Sequence, residues 1–387
     1  MLTYNIDSGF IDGIIRGYKL GLITKRQYSS LIQCSNLEGL HASIHNKSLG
    51  YKCWPPIMLH TSSRILSLLL LRASTKGVWI STTSSLNLSD SIRQDVSPSF
   101  WITLGLPSLV IFSYGYMIDN VILIISGTLH ERDISELLSK CHPIGMFDGI
   151  EALTTSTNPF ELYQTVLIAT PLGWIRLVAL THLNDKDLQI IRNVLYKAYL
   201  EDFYSFSVGP VPGGNSSSKA SEMDSVTRAQ MKKLLEFESD RATIEIAVNS
   251  IKTGLSPDEK LALFPGLGQL GTFEVSAKLS NAEEISDIQS ALSAFPEFRK
   301  VVDSLKSANS FDFGGTSDAN RPSASMDDLL YAMEVELHRF SFFGQFHYAN
   351  FYSFCKLKEQ EIRNILWIAE CIAHKQRATI NKYVPIF

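Results

Sequence analysis

A short element recurs three times in the chain at almost constant spacing. Asn-x-x-x-(Leu/Ile) runs from Asn36 to Leu40, from Asn158 to Leu162 and from Asn281 to Ile285, and the asparagines lie 122 and 123 residues apart. Each precedes apolar residues at helical spacing: Leu40/Ile44, Leu162/Val166/Leu167 and Ile285/Ile288/Leu292. Asparagine starts helices well, because its side-chain oxygen accepts a hydrogen bond from an otherwise orphaned backbone N–H. Three such starts in step point to a threefold internal repeat, and a repeat constrains the fold before any motif does.

A second element keeps the same register. Gly21-Leu22-Ile23-Thr24, Gly127-Thr128-Leu129-His130 and Gly254-Leu255-Ser256-Pro257 each read as a helix stop followed by a new start. Glycine past a helix end commonly supplies a left-handed stop. Thr24 and Ser256 are expected N-caps, and Pro257 suits a first helical position. His130 is the poorer cap. Acidic first turns follow in two copies, Glu131/Asp133 and Asp258/Glu259, and complement the helix dipole.

The period predicts further helices over 10–22, 24–34, 133–141 and 187–206, with long helix-forming stretches at 231–251 and 326–377. Residues 119–126 read as buried. Strand-like alternation is confined to Val78–Ile80 and Ser99–Phe112, neither with a clean partner, so the class is all-α. Two stretches, 208–225 and 307–325, are rich in Gly, Ser and Pro and read as flexible loops. The expected organisation is three pseudo-repeated helical domains around a pseudo-threefold axis. They span 1–114 (with 50–113 anomalous and poorly ordered), 115–230, and 231–387 with its additional C-terminal helices.

With 387 residues, 45% of them hydrophobic, the chain can bury a core. A net charge of −4 argues against a nucleic-acid binder. Five scattered cysteines, Cys34, Cys53, Cys141, Cys355 and Cys371, form no CxxC pair, so neither a disulfide framework nor a zinc site is indicated. A reducing compartment fits best. The first residues show no secretory signal. Ser97–Ile118 carries no charged residue over 22 positions, long enough to span a bilayer. Pro107, Gly105, Gly115 and the adjacent Asp119 weigh against it.

No catalytic, cofactor-binding or metal site is nominated. There is no P-loop. Gly266, Gly268 and Gly271 spell GxGxxG, but no strand precedes them, and a helix-linking loop is the better reading. His41 and His45 are four apart without a third ligand, which favours a solvated helix edge. Cys141-His142 are adjacent, and neighbours do not face each other on a helix. The aromatic run from Phe340 to Phe354 lacks the interleaved cations of a base-stacking surface, and reads as a helix core or protein-contact face. Lys356–Asn364 alternates charges and reads as a solvated face with a Glu359/Arg363 ion pair.

Five separated blocks then carry a resemblance. They are MLTYNIDSGFIDGIIRGYKLGLIT, MIDNVILIISGTLHERDISELLSKCHPIGMFD, RNVLYKAYLEDFY, FESDRATIEIAVNSI and GQFHYANFYSFCKLKEQEIRNILWIAECIA. In this order they closely resemble the AC39, or archaeal C-subunit, family, to which subunit d of vacuolar-type proton ATPases belongs. The resemblance implies an all-helical funnel of three similar domains that binds no nucleotide. It implies a peripheral membrane protein on the cytoplasmic face of an endomembrane. Its implied partners are the proteolipid c-ring, the central-shaft D and F subunits and other subunits of the membrane sector. The implied role is transmission of torque between shaft and ring.

The chain departs from the family at Lys52–Phe112, at Gly173–Leu183 and in the loop after Phe206. The abrupt loss and return of resemblance at the first two reads as shifted reading frames or a retained intron in the gene. The competing reading is a helical interaction protein anchored by a single span at Ser97–Ile118. A stand-alone enzyme using Cys141/His142 is the weakest.

Overall fold

A computed structural model describes residues 9, 12–13, 15–47, 107–130, 132–142, 145–147, 150, 188–210, 223–251, 253–309 and 325–387. These are predominantly α-helical, and among them there is no strand. Asn158, Val78–Ile80, Gly173–Leu183, Cys53 and nearly all of Lys52–Phe112 lie outside the described residues. The chain divides into two compact units, Met1–Ser91 with Gln289–Phe387, and Ile92–Ile288.

In the first unit, residues 15–19 are helical and lead into α1 (Lys25–Ile32) and α2 (Leu37–Lys47). Thr24 stands at the N-cap position of α1 as expected, but the bond there runs the other way: its backbone N–H and hydroxyl donate to Gln27 Oε1 at 2.8 and 3.1 Å. Asn36 caps α2, with the Gly39 N–H donating to its Oδ1 at 3.0 Å. The first copy of the repeated element therefore works as read. The stop before it does not use a left-handed glycine. Gly21 and Gly254 are not among the glycines with positive φ, and the chain turns at Gly21 through a Gly21 N–H to Tyr18 O bond.

α1 and α2 pack on a long C-terminal helix. Tyr28 and Leu31 from α1, and Leu40 and Ile44 from α2, share one core with Ile365, Ile368 and Ile372. Leu31 and Leu40 are 0% and 1% exposed, each worth about 1.5–3 kcal/mol of burial. A second core joins Ile15 and Leu22 to Val335, Phe342, Phe354 and Leu357.

The second unit begins with α3 (Pro107–Leu129), followed by α4 (Ile134–Lys140), α5 (Leu188–Ser207), α6 (Ser225–Asn249), α7 (Pro257–Leu263) and α8 (Phe273–Ser280). α5 packs along α3 and against α6 and α7, while α4 returns onto α3. α6 starts at Asp224, whose carboxylate accepts the Thr227 N–H at 3.1 Å. Ser256 caps α7 as expected, with Pro257 in its first turn, and Glu259, read only as part of an acidic first turn, closes a capping box with it. α9 (Ile285–Ala291) follows, and its residues fall on both sides of the division into units. In the first unit a short 3₁₀ turn (Leu292–Ala294) then leads to α10 (Pro296–Asn309), α11 (Met326–Ser341) and α12 (Ala349–Ala373).

Several readings are corrected. Asn281 does not start a helix: it is the C-cap of α8, and its Nδ2 donates to Ala277 O at 2.7 Å. The start of α9 is bound instead by Asp287, which accepts from the Glu283 and Glu284 N–H groups. Gly127 does not stop α3 but lies inside it, where a Cβ would sit 2.3 Å from Leu137 Cδ2. Its value is close approach: it lets buried Leu137 of α4 press against α3. The alternation at the end of Ser99–Phe112 belongs to α3, and 326–377 is two helices. Asp119 is exposed, and pairs with Arg192 at 3.0 Å.

Candidate functional site

The alternating charges of Lys356–Asn364 predict a solvated face of α12, and the structure overturns this. Lys358, Gln360, Glu361 and Asn364 are each 4% exposed or less. One side of α12 covers the α1–α2 core and another covers α11, so charged residues between the two cores have no route to solvent. Each is paired. Lys358 Nζ donates to Glu361 Oε1, and the Ile23 N–H donates to Glu361 Oε2 at 2.6 Å. Burial pushes the Lys358 ammonium below its ordinary pKa, opposed by the Glu361 carboxylate. Asn364 donates to Tyr28 Oη at 3.1 Å and to Val384 O at 2.6 Å, and accepts the Val384 N–H. The expected Glu359/Arg363 pair forms at 3.5 Å, with the guanidinium also over the Tyr331 ring.

A second clasp holds the turn between α11 and α12. Buried Asp12 accepts from Asn350 Nδ2 at 2.7 Å and from Arg16 Nε at 2.8 Å. Burial raises its pKa, but the Arg16 and Asn350 hydrogen bonds outweigh that and hold the carboxyl below its ordinary value. Arg16 also donates to the carbonyls of Phe342 and Gly344, so the turn is fixed from both sides. Its aromatic run divides between the two readings made of it. Phe342 and Phe354 are core, whereas Phe340 and Phe343 are 57% and 81% exposed with ring centroids 5.7 Å apart.

The second unit is tied by the residues of the FESDR block. Glu238 accepts from Tyr196 Oη at 2.7 Å, and Ser239 Oγ donates to Leu267 O at 3.0 Å. Asp240 accepts the Gln269 and Leu270 N–H groups at 3.1 and 2.8 Å. Gly268, at φ +79°, passes over this carboxylate where a Cβ would stand 2.3 Å from Oδ1. The GxGxxG glycines thus belong to a loop linking α7 and α8, whose Gln269 and Leu270 donors are taken by Asp240 and whose Gly266 N–H is taken by Glu201. Burial pushes the Asp240 carboxyl up to about 7 against the pull of those two N–H groups.

Cys141 and His142 do not face one another as nucleophile and base. The Cys141 thiol donates to Leu137 O at 3.4 Å. The His142 ring stacks on Tyr116 at 4.1 Å, and burial lowers its pKa to about 4. Its backbone N–H and C=O are both bound by Asn120. His41 and His45 fall on α2, but their side chains lie outside the described residues. Among the described residues no three His, Cys, Asp or Glu side chains gather as a metal ion would need. The arrangement offers mechanical constraint: buried polar clasps fixing each unit's helices, and an exposed aromatic turn.

Comparison with known proteins gives concordant results. The family model described as ATP synthase (C/AC39) subunit matches residues 108–383. V-type proton ATPase subunit d of Dictyostelium discoideum is 36% identical over 392 residues, covering 100% of this chain and 97% of that protein. Its counterpart in Saccharomyces cerevisiae is 36% identical over 393 residues, covering 99% of each. That of Neurospora crassa is 35% identical over 397 residues, covering 100% and 99%.

Proposed function

The chain belongs to the ATP synthase (C/AC39) subunit family, and from this we propose that it is a non-catalytic subunit of the membrane sector of a rotary V-type proton ATPase. It seats on the cytoplasmic mouth of the proteolipid c-ring, receives the D and F subunits of the central shaft, and turns with both. Three similar helical domains around a pseudo-threefold axis, over 1–114, 115–230 and 231–387, would suit such a seat. The observation that carries the reading is identity of 36% over 100% of this chain and 97% of the relative. A coupling part must resist torsion. Close-packed helices locked by buried ion pairs are a stiff body.

The test is purification of the tagged chain from detergent-solubilised endomembranes. The expected result is stoichiometric recovery with ring and shaft subunits. Recovery only as a free monomer refutes the reading.

A second reading keeps one observation in its favour: Ile111–Thr128 within α3 is long and apolar enough to cross a membrane. However, 56% of that window is buried inside the protein, and the helix carries buried Asn120, bonded to His142. A core helix accounts for this better. Alkaline carbonate extraction separates the two, since a peripheral subunit is stripped and an anchored one retained.

A further inference from the structure

The end of α11, the turn after it and the turn after residues 15–19 expose apolar side chains, with cations among them, in a chain whose net charge is −4. Leu20 is 87% exposed, and Phe340 and Phe343 are 57% and 81% exposed. Lys19 Nζ lies 4.8 Å from the Phe342 ring centroid and 4.9 Å from that of Phe387, and the Arg339 guanidinium lies 5.4 Å from the latter. Arg16 stands close enough to depress the Lys19 pKa further, after burial. Asp12 neutralises Arg16, but among the described residues neither Lys19 nor Arg339 has a carboxylate partner.

We propose that Leu20, Phe340 and Phe343, with Lys19 and Arg339, form a docking site for a segment of another protein subunit that presents an apolar side chain bordered by Asp or Glu. The proposal rests on the reading of this chain as a subunit of an assembly. Aromatic anchors beside arginine are the usual composition of an interface centre. Charge complementarity selects the acidic border, because two cations facing no anion favour an acidic partner and repel a basic one. The geometry favours a folded protein over an anionic lipid surface. Lipid headgroups are met by long cationic side chains reaching freely outward. Here Lys19 and Arg339 rest on the Phe342 and Phe387 rings, and Arg16 pins the Phe342 and Gly344 carbonyls. The patch is thus set before its partner arrives, which lowers the ordering cost of binding.

The test uses the full chain within its assembled complex. A benzophenone amino acid replaces Phe343, and the cross-linked peptide is identified by mass spectrometry. The expected product joins position 343 to another subunit at an apolar residue within one helical turn of Asp or Glu. The double variant Lys19→Glu/Arg339→Glu should weaken retention of the chain at least tenfold while its circular dichroism stays unchanged. Changing the identified acid to Lys should restore it. Cross-linking to lipid, to this chain alone or to a segment without an acid overturns the proposal, as does unchanged retention of the charge-reversed variant. Normal co-purification without the cross-link sinks the docking site alone; failure of the wild-type chain to co-purify with ATPase subunits overturns the function as well.

Discussion

Replacing Lys358 by methionine should strip a buried carboxylate of its cation. Lys358 and Glu361 are 1% and 0% exposed, so neither can turn to water. Removing one member of such a pair costs about 3–5 kcal/mol, since the remaining charge keeps its desolvation penalty. The Ile23 N–H still reaches Glu361, and a bond to a charged group is worth about 1.5–3 kcal/mol, which sets the expected loss near 3 kcal/mol. Glu361→Gln should cost less. It keeps an acceptor for Ile23, and the Lys358 ammonium, already depressed by burial, can shed its proton. Lys358→Met/Glu361→Gln removes both charges and should be more stable than the sum of the single losses by at least about 2 kcal/mol. Hydrogen exchange of peptides containing Ile23, with urea unfolding of the whole chain, gives the readout. A loss of 3 kcal/mol speeds exchange through opening by roughly 100-fold or more. Unchanged protection at Ile23 in Lys358→Met, with a loss under about 1 kcal/mol, would refute the assignment of this pair as the anchor of α12.

Gly127→Ala should destabilise the second unit by about 1–3 kcal/mol through overpacking on Leu137, and adding Leu137→Ala should cost less than the two losses summed, by thermal unfolding. Two groups in that unit oppose each other in pH. Asp240 is raised from 3.8 to about 7, so its contribution is present at low pH and is lost as pH rises through that window, with a slope approaching about 1.4 kcal/mol per pH unit. His142 is lowered from 6.5 to about 4, so its contribution is present above 6.5 and lost as pH falls. Urea midpoints from pH 4.5 to 6.5 should therefore tilt upward with pH in Asp240→Asn and downward in His142→Phe, relative to the wild type. Parallel curves for all three would count against both assignments. The Asp12 carboxyl is held below 3.8, so the stability it supplies is present above that pH and lost as pH falls through the lower folded value. Asp12→Asn should remove that acid sensitivity from hydrogen exchange of peptides spanning 341–350.

Helices with one apolar face were legible, because period and burial agree. Ser256-Pro257 was also legible, because an N-cap and a first-turn proline are local chemistry written in neighbouring residues; the return bond from Glu259 was not read, since its charge alone already accounted for it. Asn281 misled for an equally local reason. Asparagine serves at both ends of helices, and what decides is whether the preceding residues continue the turn, as those of α8 do. Gly127 misled because the reason for it is Leu137, a contact between two helices that no period reports. The largest miss was Lys356–Asn364, whose alternating charges imitate a solvated face. A helix enclosed between two cores buries polar residues too, and only their partners, Ile23, Tyr28 and Val384, reveal it. The aromatic turn was half legible: the density of rings was plain, but which of them face solvent depends on where Arg16 holds the backbone.

The partners in the first unit stand far apart along the chain: Asn350 bonds Asp12, Glu361 bonds Ile23 and Asn364 bonds Tyr28, at separations of 338, 338 and 336 residues. Residues 92–288, by contrast, form a unit from one continuous stretch. During synthesis the continuous stretch can fold as it emerges, while Ile23, Tyr28, Leu31 and Leu40 must wait for α12. For most of translation the ribosome therefore holds out an unfinished apolar surface near the start of the nascent chain. Shielding by a chaperone matters most in that interval, and a message truncated before codon 364 yields a product whose first helices never find their seat.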